Sequence, residues 1–94
     1  MGVDMKMVFE SLMAIDTQLE REKIIEKLKE LFDLCHKNAT DKRINAKRRE
    51  RWARLAAYIA QTINSILNAY DEQDIKKQLE LLKEKLKLLE ESLG

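Results

Sequence analysis

Apolar residues recur at intervals of three and four along most of this 94-residue chain, the spacing of helices with one buried face. Met5, Val8, Leu12 and Ile15 form the first run and predict a short helix over about 4–15. Leu19 prolongs the stripe, but Glu22 and Glu26 then fall where it should continue. The pattern restarts at Ile24, Ile25, Leu28, Leu31, Phe32 and Cys35, predicting a second helix over 18–37. Thr17-Gln18-Leu19-Glu20 resembles a capping box, in which the threonine oxygen accepts the third residue's N–H and the glutamate reaches back. One continuous, re-registered helix through both runs is the alternative. Asn38-Ala39-Thr40 then breaks the pattern. Asparagine tolerates the left-handed conformation that ends helices, and Thr40 suits an N-cap.

The third predicted helix spans 41–70, with Ile44, Trp52, Leu55, Ile59, Ile63, Ile66 and Tyr70 on one stripe. Arg48 interrupts it, its aliphatic stem suited to covering apolar surface. Asp71 to Asp74 can end this helix and cap the next. The fourth helix, 72–92, carries Ile75, Leu79, Leu82, Leu86, Leu89 and Leu93 as a heptad stripe, with Leu81 and Leu88 widening the face. The stripe is short for an autonomous coiled coil, so packing back onto the other helices is favoured over a dimer seam. No Gly or Pro forces a break near 71, which leaves one long rod as an alternative. A rod could not bury so wide a leucine face. The expectation is therefore a single all-α domain over 1–94, a three- or four-helix bundle with a long central helix.

Composition narrows this further. There is no proline, and the two glycines are Gly2 and Gly94, so a strand-rich fold would lack its turn residues. A 45% hydrophobic share is too high for a disordered chain. Abundant Lys, Glu and Arg with few aromatics suits a thermophile. The single cysteine, Cys35, allows no internal disulfide and points to a reducing, cytoplasmic setting. No signal peptide is evident, and no stretch has the roughly 18 apolar residues of a membrane span.

Charge is unevenly distributed. Residues 39–60 carry seven basic and two acidic side chains, a net of +5, while the segments on either side are each acidic. On a helix, Arg43, Lys47 and Arg54 fall opposite the Trp52–Leu55–Ile59 stripe. With Lys42, Arg49 and Arg51 they form a candidate nucleic-acid ridge, since arginine matches phosphate geometry bidentately and such a ridge would bind with little sequence preference. A solvated face, or pairing with the acidic first half of the chain, is the plainer account. The second feature is Leu55 to Tyr70, sixteen residues without a charge. Gln61, Thr62, Asn64, Ser65 and Asn68 exclude a lipid-facing span. A surface helix normally carries charge on its outer side, so the run suggests cover on more than one side. Ala53, Ala57 and Ala60, with Asn64 and Tyr58, are the candidate docking residues, because small side chains let another helix approach closely. Internal cover by neighbouring helices competes with docking. Met1, Met5, Met7 and Met13 are read as ordinary core or a frayed end.

No enzyme is expected. His36 is the sole histidine, and adjacent Cys35 points another way on a helix, whereas a Cys–His pair needs hydrogen-bond reach. Metal-ligand spacing is absent, and neither cofactor nor small-molecule substrate is anticipated.

With Arg48-Arg49-Glu50-Arg51-Trp52-Ala53-Arg54 at its centre, the chain resembles small accessory proteins of hyperthermophilic archaea in size, composition and helicity. Among these is the small helical subunit joining the archaeal B-family DNA polymerase holoenzyme. No motif carries the resemblance, so no residue role transfers. It implies an accessory subunit of a nucleic-acid machine. The expected function is a non-catalytic subunit that docks through helix faces on a larger protein or a second copy, with direct nucleic-acid binding as the alternative.

Overall fold

Four helices form in a computed structural model that describes residues 5–16 and 18–92, the side chains of residues 90–92 excepted. They are α1 (Met5–Met13), α2 (Arg21–Ala39), α3 (Ala46–Leu67) and α4 (Glu72–Ser92). The separate α1 and α2, and α3 and α4, replace the continuous-helix alternatives. Met1, Thr17 and Leu93 lie outside the described residues, and with Thr17 the capping box.

Helix boundaries follow local hydrogen bonding more closely than apolar spacing. Between α1 and α2 the Asp16 carboxylate accepts the Gln18 N–H at 2.9 Å, and Leu19 N–H donates to the Asp16 carbonyl. This turn uses up 16–19, so α2 starts at 21 rather than 18. At the other end, α2 continues through Asn38, which is helical and buried. No described non-glycine residue has positive φ, so the expected left-handed Asn38 does not occur. Thr40 closes α2 instead of opening α3: its hydroxyl donates to the His36 and Lys37 carbonyls at 3.1 and 3.2 Å.

The predicted start of α3 at 41 is also corrected. The Asp41 carboxylate accepts the Arg43 N–H at 2.9 Å, offering the backbone a turn in competition with helix. Asn45 then caps α3, accepting the Arg48 N–H at 2.9 Å. At its C-terminus α3 stops at Leu67, where the Asn68 amide donates to the Asn64 carbonyl. Arg21 crosses from α2 to donate to the Ala69 carbonyl at 2.8 Å, tying down the α3–α4 turn. Tyr70, expected to end the α3 stripe, therefore lies beyond the helix and is 92% exposed. Asp71 caps α4 as expected, accepting the Asp74 N–H at 3.0 Å, and Asp74 reaches back to the Tyr70 N–H.

Short connections place successive long helices antiparallel. α3 packs most extensively on α2 and next on α4, while α1 lies across α4 and α2. The bundle measures 40 × 22 × 19 Å. Leu12, Ile24, Leu28, Leu55, Ile59, Ile66, Leu79, Leu82 and Leu86 are fully buried at its centre. The described part of the α4 heptad, Ile75 to Leu89, is buried throughout, so that stripe packs inward. Leu81 and Leu88 do not widen it; both are exposed.

Candidate docking face on the third helix

At 100° per residue, the buried positions of α3 (Trp52, Leu55, Ala56, Ile59, Thr62 and Ile66) occupy one arc, covered by α2 and α4. The opposite arc faces solvent. There Ala53, Ala57, Ala60 and Asn64 are all exposed, so four of the five candidate docking residues share one face. Tyr58 does not join them. It is half-buried on the α4 side of α3, with the Lys85 Nζ 4.9 Å above its ring, which is cation–π distance. Gln61, Leu67 and Asn68 complete the exposed face. Leu67, 55% exposed, was missed by apolar-stripe reading because it lies outside the buried stripe. The signal for it exists in the spacing: Ala53, Ala57, Ala60, Asn64 and Leu67 step by four, three, four and three, the spacing of a helix–helix seam. From Ala57 to Asn68 this outer face carries no ionisable group.

The basic ridge is less available than its composition suggests. Arg43 lies in the α2–α3 turn and forks onto Asp41, with Nε and Nη2 at 3.0 and 2.9 Å. That contact holds the Asp41 carboxyl down at about 2 and raises the Arg43 guanidinium. Arg54 reaches Glu50 one turn back at 3.3 Å. Arg49 is half-buried, with its Nε enclosed and lacking a protein partner, and Arg51 is half-buried too. Lys42 and Lys47 are exposed. The six predicted ridge residues thus divide: two solvated lysines, two arginines engaged with acidic neighbours, and two arginines drawn into the bundle. Trp52 is 2% exposed and offers bases no stacking surface.

Cys35 is fully buried, and burial pushes its thiol up to about 12, where almost none is thiolate at neutral pH. His36 faces solvent and stacks on Phe32. The two do not form a nucleophile pair. Open clefts of about 290 Å³ (beside Gln18, Glu72, Gln73 and Lys76) and about 300 Å³ (beside Ser11, Ile15, Lys27 and Leu31) lie between other helices. Among the described residues no group of three or more His, Cys, Asp or Glu side chains could hold a metal, and no helix is long and apolar enough to cross a membrane.

No family model, curated protein or solved structure matches the chain.

Proposed function

We propose that this chain is a non-catalytic interaction module that docks through the outer face of α3 onto a second protein surface. One observation carries the reading. The sixteen-residue uncharged run is covered by the chain's own helices on one side only, leaving Ala57, Ala60, Gln61, Asn64, Leu67 and Asn68 in solvent. A helix face that met only water would gain solubility from charge there, and the neighbouring helices carry it freely: α2 has exposed Glu22, Lys23, Glu26, Lys27, Lys29 and Glu30. The small side chains lower the cost of a close helix–helix approach and enlarge its dispersion contacts. Cations at the start of α3 flank the face and would supply peripheral contacts.

Direct nucleic-acid retention has less support, because Arg43 and Arg54 already have acidic partners. An accessory role in a DNA-processing complex accommodates both features without asking the ridge to bind alone.

The experiment uses tagged wild-type chain, Ala57→Glu, and Lys27→Glu on the far side as control. Proteins retained from the native cell are identified, purified and recombined with each variant. Docking through α3 predicts binding by wild type and Lys27→Glu and its loss with Ala57→Glu. Equal binding by all three, or retention abolished only by nuclease, overturns the reading.

A further inference from the structure

Resting on the docking reading, we infer that the occupant of the α3 face is a second copy of this chain, paired antiparallel about a two-fold axis between Ala57 and Ala60. Three independent features lead there. The first is the seam itself. In an antiparallel pair whose facing residue numbers sum to 117, Ala57 meets the partner's Ala60, Ala53 meets the partner's Asn64, and Glu50 meets the partner's Leu67. Ala57 and Ala60 then meet at the centre, and the longer Asn64 and Leu67 lie toward the ends of the overlap, which covers residues 50–67. α3 has 22 residues, about 33 Å at 1.5 Å per residue, and this register overlaps nearly all of it.

The second feature is charge. Lys42, just before α3, and Lys47, in its first turn, are exposed, and no described acidic residue pairs with them. Asp71, Glu72 and Asp74 are exposed where α3 turns into α4, and the Arg21 guanidinium that crosses to that turn bonds a carbonyl. The antiparallel pair lays each basic end over the partner's acidic turn, whereas a parallel pair stacks basic on basic. Opposed helix dipoles favour the same arrangement.

The third is Tyr70. Its ring is 92% exposed, although an aromatic of this size is a large apolar surface to leave in water. In the antiparallel register the partner's Lys47 arrives beside it, as a cation above an aromatic face. A face this narrow gives an interface near the low end of the usual range, about 1,200 Å² in total, and a weak, concentration-dependent dimer is expected.

Sedimentation of the full chain tests the pairing. Wild type is expected to pass from monomer to dimer with rising concentration, and added salt should weaken it. Ala57→Glu, which brings two carboxylates together across the axis, should weaken dimerisation at least tenfold. Lys42→Glu with Lys47→Glu, and separately Tyr70→Ala, should each weaken it severalfold. Disulfide linkage fixes the register: an Ala53→Cys chain should cross-link to a differently tagged Asn64→Cys chain and not to itself. Self-linkage at 53 would mean a parallel pair and overturn the proposal. Wild type that stays monomeric up to about 1 mM, where an association worth only about 4 kcal/mol would show, overturns it too. In that event, binding of another purified protein that is lost with Ala57→Glu would leave the docking reading standing. If neither association appears, both readings fail.

Discussion

Ala56 and Ala57 are adjacent on α3 yet lie about 100° apart around it, and the docking argument depends on that difference. Ala56 is 5% exposed and joins the core; Ala57 faces solvent. Glutamate is a good helix former, so replacing either alanine changes intrinsic helicity little, and the contrast reports burial. Ala57→Glu should alter stability by less than about 0.5 kcal/mol, as surface substitutions do. Ala56→Glu must either bury a carboxylate without a partner, costing several kcal/mol, or be protonated at neutral pH, costing about 3–4 kcal/mol from an ordinary value near 4.3, and still overpack the α3 interface by about 1–3 kcal/mol. A chain of this length has about 5–14 kcal/mol of total stability, and each kcal/mol moves the melting temperature of so small a domain by roughly 4–8 °C. Ala56→Glu should thus melt at least 12 °C or so below wild type, or fail to fold, while Ala57→Glu stays within about 4 °C. Circular dichroism at low micromolar concentration, where self-association adds little, makes the comparison. Equal tolerance at both positions, or equal collapse, would refute the orientation of α3 and the face argued from it.

The α4 stripe gives a parallel contrast. Leu86→Ala should cost about 2–5 kcal/mol, because the side chain is fully buried, while Leu88→Ala, at 66% exposure, should cost under about 0.5 kcal/mol in the same urea titration. Acid stability carries a signature of the Arg43–Asp41 fork. The Asp41 carboxyl is held at about 2 against an ordinary 3.8, so its contribution is complete above about pH 4 and is lost as pH falls toward 2. In melts run from pH 5 to pH 2, Asp41→Asn should remove that part of the acid-induced drop; an unchanged profile would count against the fork. With its thiol raised to about 12 from 9.0, native Cys35 should react with a disulfide reagent at pH 8 far more slowly than in denaturant; equal rates would place it at the surface.

Much of this fold is legible in the sequence, because helical periodicity reports burial directly. Each apolar run becomes a helix, and most stripe residues, Val8, Leu28, Leu55 and Leu86 among them, are buried, while Phe32, Ile44 and Ile63 are half-buried. What periodicity cannot report is where a helix ends. Apolar spacing continues through Ile44 and Tyr70, but Asp16, Asp41 and Asn68 each take a nearby hydrogen bond that competes with the next helical turn. Such bonds depend on short side chains folding back locally, and they leave no mark on a 3.6-residue pattern. The same limit explains Leu81 and Leu88. Two leucines beside a heptad look like a widened core face, yet a helix packed between two neighbours buries only the arc those neighbours reach.

The candidate site shows the converse. Charge patterning marks the candidate docking stretch, since a sixteen-residue gap in charge can be counted from sequence alone. Whether that gap is internal core or an outward surface depends on how many helices surround α3, and no local pattern encodes this. Two neighbours, α2 and α4, pack extensively on it. Two cylinders against a third shield well under its full circumference, so an uncharged helical stretch packed chiefly between two neighbours must turn part of its neutral surface outward. The basic ridge is divided by similar geometry. Five cations between Lys47 and Arg54 cannot all lie on one side of a helix that also presents Trp52 and Leu55 to the core, and Arg49 and Arg51 are half-buried. A charge cluster that straddles a buried stripe is divided by it. A neutral stretch longer than two turns must contain both the buried arc and its opposite, and for that reason the neutral run is the sounder guide to a candidate contact surface.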